Sequence, residues 1–117
     1  MFNCTRVETR SIMQGKASGV TRRYPQGGCP HQTGSQLVFT TEFQSRDGRS
    51  VPFATATIIS VRPSTIGELA RDNVIVAKDG FSTGPEWKGH LNQMYRGVSD
   101  GDSVHHISFR IDEMEKI

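Results

Sequence analysis

Two apolar segments separated by a short polar turn constrain the fold of this chain more than any other feature. Residues 36–43 read QLVFTTEF and residues 51–61 read VPFATATIISV, and both are rich in β-branched and aromatic residues. The RDG sequence at residues 46–48 supplies turn-forming residues between them. This order predicts a β-hairpin with a polar tip, and Pro63 is expected to end its second strand.

A short helix is predicted before the hairpin. TRVETRSIMQ at residues 5–14 suits one helix with Val7, Ile12 and Met13 facing inward, and Gly15 follows as a stop signal. Between this helix and the hairpin, residues 23–34 contain two prolines and three glycines. That composition predicts a long irregular loop, and long ordered loops are often functional.

Two further helices and a strand are predicted after the hairpin. STIGELARD at residues 64–72 carries Ser64 or Thr65 as an N-cap, followed by an acidic residue one turn later. PEWKGHLNQMYRG at residues 85–97 has proline near its start, glycine past its end and apolar residues at helical spacing, which makes it the strongest helix. SVHHISFRI at residues 103–111 alternates in polarity and predicts a closing strand.

This order of elements predicts an α+β fold with a small, mostly antiparallel β-barrel flanked by two to three helices. Short strands joined by tight turns need closure or cover to hide their edges. At 117 residues the chain is expected to form a single domain over residues 1–117. No part of it is apolar enough for a membrane span or a secretion signal, and its two cysteines are expected to be free thiols, so a cytoplasmic protein is predicted.

A basic segment, QGKASGVTRR at residues 14–23, is expected to supply almost nothing to a core and therefore invites a functional interpretation. It is not a P-loop, because that motif needs GxxxxGK[ST] directly between a strand and a helix. Its glycine N–H groups, with Lys16, Arg22 and Arg23, could still hold an anion or the oxygens of a nucleotide. The formal net charge of only +2 does not by itself indicate a nucleic-acid partner.

The order of these segments resembles the ASCH domains of the PUA-like superfamily. The matching segments are the helix end IMQG at residues 12–15, VTRR at 20–23, Gly34 with LVF at 37–39, ATATIISV at 54–61, DGF at 79–81 and ISFRI at 107–111. The resemblance covers nearly the whole chain. It implies a small β-barrel flanked by helices, a basic cleft, and partners among RNA, nucleotides or modified nucleosides, without a cofactor.

Some small ASCH proteins remove an acyl group from the exocyclic amine of cytidine with a lysine, a threonine and an acidic residue. The resemblance therefore implies catalytic roles for Lys16, Thr21 and Asp79. The family enzymes have glutamate where this chain has Asp79, whose side chain is one methylene shorter. The family's lysine lies three residues before its threonine, where this chain has Ser18, whereas Lys16 lies five residues before Thr21.

The ligand contacts predicted beside these residues are Ser18, Arg22, Arg23 and Tyr24. Alternate residues of a strand face opposite ways, so only one of the two arginines is expected to enter the cleft, and the motif match favours Arg23. Tyr24 is the candidate for stacking on a base because it directly follows the basic pair.

Structural readings of the same residues remain open. Thr21 could bond only to the backbone, and Asp79 is of a type common in turns. Cys29, His31, His105 and His106 do not predict a metal site, because one C-x-H pair lacks a second ordered pair of ligands and adjacent strand histidines point apart. The predicted function is recognition of RNA or a modified nucleoside, with possible hydrolysis. The alternatives are a non-catalytic binding module and a protein-interaction domain with a vestigial pocket.

Overall fold

The computed structural model describes residues 2–24, 28–41 and 51–114. The described residues form five strands and four helices. The strands are β1 (Phe2–Asn3), β2 (Gly19–Arg22), β3 (Gln36–Thr41), β4 (Val51–Thr65) and β5 (Ser103–Met114), and the helices are α1 (Arg6–Met13), α2 (Ile66–Ala70), α3 (Asn73–Lys78) and α4 (Gly84–Tyr95). All five strands belong to one sheet in the order β1-β3-β4-β5-β2.

The predicted α+β fold is confirmed, and the sheet forms a curled half-barrel where a small barrel was predicted. β3 pairs with β4, β4 with β5 and β5 with β2, all antiparallel. β1 pairs with β3 in the parallel direction, so the sheet is mixed. Register shifts along the β4 and β5 pair mark bulges that bend the strands. Among the described strands, β1 and β2 are the two edges and do not pair with each other.

The predicted hairpin strands are present, but the second one is longer than predicted. β3 and β4 pair antiparallel, with Gln36 opposite Thr57. The RDG turn and the end of the first predicted strand lie outside the described residues. The prediction that Pro63 ends the strand is wrong, because β4 continues to Thr65. Beyond Thr57 β4 pairs with β5 and not with β3, so the missing N–H of Pro63 can face the unpaired side of the strand.

Helix α1 has the predicted position but buries a different face. Ile12 is buried as predicted, whereas Val7 and Met13 are 44% and 37% exposed, so the prediction that both face inward is wrong. The inward face instead carries Glu8 and Thr9. A polar face can be buried here because Glu8 is paired with a buried cation on β2.

The two helices predicted after the hairpin are confirmed. Thr65 caps α2 by accepting from the N–H of Glu68, and Pro85 lies in the first turn of α4. Three other elements were not predicted. Helix α3 lies between α2 and α4, β2 lies inside the basic segment, and β1 lies before α1. All three are too short for a periodic pattern to indicate them.

Two apolar cores lie on opposite faces of β2 and β5. The first core fills the concave side of the sheet and includes Val20, Phe39, Ile107 and Phe109. The second lies under α2, α3 and α4 and includes Leu69, Trp87, Leu91 and Val104. Because residues alternate along a strand, neighbouring positions of β2 face different cores. Within the described part of the chain, no helix is long and apolar enough to cross a membrane.

Candidate functional site

Thr21 and Asp79 meet although 58 residues separate them in the sequence. The Thr21 hydroxyl donates a hydrogen bond of 2.7 Å to Oδ2 of Asp79. Thr21 lies on β2, and Asp79 ends α3 as its C-cap. Gly80 follows with a φ of 88°, a left-handed conformation that glycine adopts without strain and that turns the chain away from the helix. The structure thus brings together two of the three residues for which a catalytic role was predicted.

Trp87 and His106 complete a buried polar cluster with these two residues. The indole Nε1 of Trp87 donates to Asp79 Oδ2 over 2.8 Å, and Nε2 of His106 lies 2.7 Å from Asp79 Oδ1. Trp87 and His106 are fully buried, and Thr21 and Asp79 retain only 3% and 6% exposure. We call these four residues the Asp79 cluster. In the sequence, Trp87 is one of the apolar residues at helical spacing in residues 85–97, and His106 is one of four residues that do not predict a metal site. Their contacts with Asp79 were therefore not predicted.

Gly19 lets β2 approach the Asp79 cluster closely. A Cβ atom at this position would lie 2.6 Å from Nε2 of His106 and 2.8 Å from Oδ1 of Asp79. Neither distance is tolerable for a carbon atom, so glycine is required here for space. The backbone of β2 therefore covers the contact between the histidine and the carboxylate.

Lys16 and Ser18 lie at the exposed edge beside this cluster. Both are solvent-exposed, and the N–H of Ser18 donates to the carbonyl of Lys78 over 2.7 Å. This bond joins the segment before β2 to the last residue of α3, directly before Asp79. Lys78, a half-exposed cation at the same edge, was not predicted. We call Lys16, Ser18 and Lys78 the rim.

Arg22 faces away from the Asp79 cluster. Its guanidinium forms two hydrogen bonds of 2.7 Å with the carboxylate of Glu8, and it also donates to the carbonyls of Thr21 and Asn3. All four terminal N–H groups of this buried side chain therefore have partners within the chain. This placement leaves none of the terminal N–H groups of Arg22 free for the ligand contact that was predicted for it.

Arg23 and Tyr24 lie beyond the end of β2. The Arg23 guanidinium packs over the ring of Tyr95 at 4.8 Å from its centroid and lies 3.8 Å from a carboxylate oxygen of Asp102. It is partly exposed and remains available to a ligand from the helix side. Tyr24 packs between His31 and His105, each 6.0 Å away between ring centroids, and burial raises the pKa of its phenol to about 12.

Tyr24 thus belongs to the opposite side of the sheet from the Asp79 cluster. His105 contacts Tyr24, whereas its neighbour His106 contacts Asp79, as the alternation of a strand requires. Tyr24 and the Asp79 cluster are therefore separated by β2 and β5. The described ranges contain no group of three or more His, Cys, Asp or Glu side chains that could hold a metal ion.

A separate cavity of about 360 Å³ lies between α2 and α4. It is lined by Arg71 and Lys88, among others, and Lys88 forms an ion pair of 2.6 Å with Asp100 at its edge. None of the residues with a predicted site role lines this cavity. It is therefore a competing position for an anionic ligand, and it provides a control for experiments on the rim.

The curled half-barrel and its four helices give the described residues an ASCH-like, PUA-like fold. The chain is similar in structure to the ASCH domain from Lactobacillus crispatus JV V101, with a TM-score of 0.61 and 18% identity, covering 90% of this chain and 70% of that one. ASCH from Zymomonas mobilis matches with a TM-score of 0.63 and 10% identity, covering 93% of this chain and 64% of that one.

A protein of the family DUF984 from Enterococcus faecalis V583 has the same architecture. Its TM-score is 0.65 at 12% identity, covering 90% of this chain and 66% of that one. The chain thus spans slightly less than two thirds of the length of this protein and of the Zymomonas protein. No family model matches the sequence, and no curated protein sequence matches it. At these identities the likeness shows the fold alone, and in that sense the predicted ASCH-like fold is confirmed.

Proposed function

We propose that this protein recognises a modified nucleoside, free or within RNA, at Thr21 and the rim. The observation that carries the proposal is the 2.7 Å hydrogen bond from the Thr21 hydroxyl to Asp79. It joins two residues to which the ASCH resemblance assigns a role, and it forms beside exposed basic side chains. A cytoplasmic location, expected from the sequence, remains part of this proposal.

The hydrogen bond restricts what Thr21 can offer to a ligand. A hydroxyl has one proton and two acceptor lone pairs. Since the proton is given to Asp79, the oxygen can meet a ligand only as an acceptor or as a nucleophile. A suitable ligand therefore presents an N–H donor or an electrophilic carbon, and an acylated exocyclic amine of a nucleobase presents both.

Lys16 and Lys78 at the rim are suited to contact phosphate. If RNA binds there, each neutralised phosphate releases counterions, and affinity falls steeply with added salt. We expect Lys16→Ala to weaken binding of a short single-stranded RNA several-fold and to reduce this salt dependence. Lys88→Ala, which removes a cation from the cavity between α2 and α4, is the matched control and is expected to bind as the wild type does. The reverse result would move the ligand to that cavity and contradict the proposal.

Hydrolysis of an acyl amide on cytidine is the second candidate, favoured by the contact between a hydroxyl and a carboxylate that can accept its proton. In this reaction Thr21 Oγ1 forms a bond to the acyl carbon while its proton passes to Asp79. The carbon–nitrogen bond then breaks, and Asp79 returns the proton to the departing amine of cytidine. Water hydrolyses the acyl ester of Thr21, which releases the carboxylic acid and restores the hydroxyl.

Asp79 is the proton acceptor in this proposal because the hydroxyl already donates to it. Lys16, which the resemblance includes in the catalytic set, contacts the substrate from the rim. Incubation with cytidine acetylated on its exocyclic amine is expected to yield cytidine and acetate. Thr21→Val is expected to abolish turnover, and Thr21→Ser to retain part of it. Absence of product from pure protein that still binds RNA would leave the non-catalytic binding module, and absence of both would leave a protein-interaction domain.

A further inference from the structure

Two residues hold the Asp79 carboxylate in place without themselves being required to meet a ligand. Trp87 donates to Oδ2, and His106 contacts Oδ1. We propose that Trp87 and His106 are positioning residues, which fix Asp79 as the acceptor that orients the Thr21 hydroxyl. This inference rests on the proposed function, because the orientation of Thr21 matters only if its oxygen meets a ligand.

The donors around Asp79 assign protons within the cluster. An indole N–H can only donate, and the Thr21 hydroxyl donates to the same oxygen, so Oδ2 acts as a double acceptor. This arrangement suits an ionised carboxylate. His106 must then be the third donor, which assigns its ring proton to Nε2. Its Nδ1 is left as an acceptor, 3.5 Å from the hydroxyl of Ser108.

Packing alone does not fix the orientation of an aspartate carboxylate. The terminal torsion of aspartate is broad, so the group can rotate within a cavity of its own size. Donors on both of its oxygens remove this freedom, since rotation would break the bond to Trp87 and the bond to His106 together. With the carboxylate fixed, the Thr21 hydroxyl has one preferred direction for its proton and one for its lone pairs.

Gly19 lets the backbone of β2 lie directly against this arrangement. The backbone of β2 passes so close to His106 and Asp79 that no Cβ atom fits between them. Polar contacts that are shielded from water are electrostatically stronger than exposed ones. The cluster is thus shielded on its inner side, where His106 lies, and we place the ligand on the side of the Thr21 oxygen.

A first experiment tests the geometry without any assay of activity. Nitrogen NMR of His106 is expected to report a proton on Nε2, and the Thr21 hydroxyl proton is expected to exchange slowly with water. Trp87→Phe and His106→Phe each remove one donor while keeping an aromatic ring, and we expect either to speed exchange of that hydroxyl about tenfold or more. His105→Gln, on the opposite face of β5, is the matched control and is expected to change nothing.

Two results of this experiment would overturn the inference. One is a His106 ring that carries its proton only on Nδ1, because it could not then donate to Asp79. The other is unchanged exchange of the Thr21 hydroxyl in both aromatic variants when thermal melting shows that they are folded. If either variant fails to fold, His106→Gln, which can keep a donor near the position of Nε2, and the ring-nitrogen measurement on the wild type decide the question.

A second experiment separates positioning from a purely structural role. With acetylated cytidine as the substrate, and rates expressed per folded molecule, Trp87→Phe is expected to lower kcat about 100-fold with little change in KM, since small displacements of reacting groups have effects of that size. His106→Gln is expected to retain more activity than His106→Phe. Unchanged kcat per folded molecule in all three variants would contradict the inference.

Failure of the proposed hydrolysis has a different signature. A wild-type protein without turnover would remove the hydrolytic candidate. The ring proton of His106 and the exchange of the Thr21 hydroxyl would then still decide whether these residues position Asp79. Failure of the hydrolytic candidate can therefore be distinguished from failure of the positioning role.

Discussion

Two buried polar clusters start from adjacent residues of β2 and lie on opposite faces of the sheet. Thr21 joins the Asp79 cluster under α3 and α4, whereas Arg22 forms an ion pair with Glu8 of α1. Both clusters are almost fully buried, and each joins a helical element to the same edge strand. They differ in the hydrogen-bonding capacity that remains free for a ligand.

The charges of Arg22 and Glu8 are paired with each other, and Nε2 of the buried His90 lies 3.7 Å from Oε2 of Glu8 without a hydrogen-bond partner among the described residues. Both oxygens of Glu8 accept from Arg22, and Oε1 also accepts from the N–H of Thr5 in the capping box of α1. In the described part of the chain, the Thr21 hydroxyl donates to Asp79 and accepts no hydrogen bond in return. Charges that are matched within the chain can fix α1 against the sheet, whereas an oxygen with unused lone pairs beside an exposed basic edge is suited to a ligand.

Breaking the ion pair is expected to have the largest effect on stability. Arg22→Met leaves the Glu8 carboxylate buried without its partner, and such a loss lowers the free energy of unfolding by about 3–5 kcal/mol. Urea denaturation measures this difference. In the double variant Glu8→Leu with Arg22→Met no charge is stranded, and most of the stability is expected to return. Equal losses in the single and double variants would show that the pair does not act as a unit.

Acid is expected to act on the same face with a somewhat smaller effect. Burial by itself would raise the pKa of Glu8, but hydrogen bonds, chiefly from Arg22, hold it at about 2, below its ordinary value of 4.5. Because the folded-state pKa is the lower one, the stabilisation is fully present above pH 4.5 and is lost as the pH falls towards 2. The difference corresponds to at most about 3 kcal/mol, and urea denaturation across this range measures it. The variant Glu8→Gln is expected to lose this part of the acid dependence, and an unchanged acid profile would contradict the assignment.

A methyl group added at Gly19 tests the packing on the face of the sheet that carries the Asp79 cluster. Gly19→Ala places a Cβ atom 2.6 Å from the His106 ring, so β2 or the ring must shift. Overpacking of this kind lowers the free energy of unfolding by about 1–3 kcal/mol. Gly89→Ala, within α4 and with no atom near the new Cβ position, is the control and is expected to stabilise the protein by about 0.5–1 kcal/mol. Changes of the same sign in both variants, measured by thermal or urea denaturation, would contradict the role of space at Gly19.

Removal of the Thr21 hydroxyl is expected to have the smallest effect on stability. Thr21→Val keeps the shape of the side chain but takes one of three donors from Asp79, a loss of about 1 kcal/mol. Arg22→Met, one residue later, is expected to be several times more destabilising. The effect on ligand affinity is expected in the opposite order. Thr21→Val should weaken binding more than Arg22→Met does, because ligand binding depends on the Thr21 oxygen. A Thr21→Val protein with wild-type ligand affinity would contradict the proposal that the Asp79 cluster, unlike the Arg22–Glu8 ion pair, serves ligand binding.

The sequence predicted those elements whose patterns are local. The hairpin strands, the cap at Thr65 and the helix with Pro85 at its start each follow from residues within one or two turns of each other. The inward face of α1 was mispredicted, because an apolar pattern cannot anticipate that a buried guanidinium will accept Glu8 as its partner. Strand β2 and helix α3 are too short to have a recognisable period, and only their neighbours define them.

The candidate site likewise divides into residues that the sequence pointed to and residues that only the structure revealed. The resemblance to ASCH domains linked Thr21 with Asp79, whereas Trp87 and His106 were found only in the structure. Helix α4 places the indole, and the pairing of β5 with β2 places the imidazole. The contact of Trp87 with Asp79 spans 8 residues across the connection between α3 and α4, and that of His106 spans 27. A histidine on a strand gives no local sign of which face it occupies until its register is known.

The sequence by itself determined the composition of each element and the order in which strands and helices follow one another, because caps, turns and periodic patterns act over a few residues. Tertiary structure alone decided that Thr21 and Arg22 serve different clusters. Adjacent residues of a strand point to opposite faces of the sheet. Thr21 therefore contacts Asp79 on one face and Arg22 contacts Glu8 on the other. No local sequence pattern encodes how the elements that carry Asp79 and Glu8 pack on these faces.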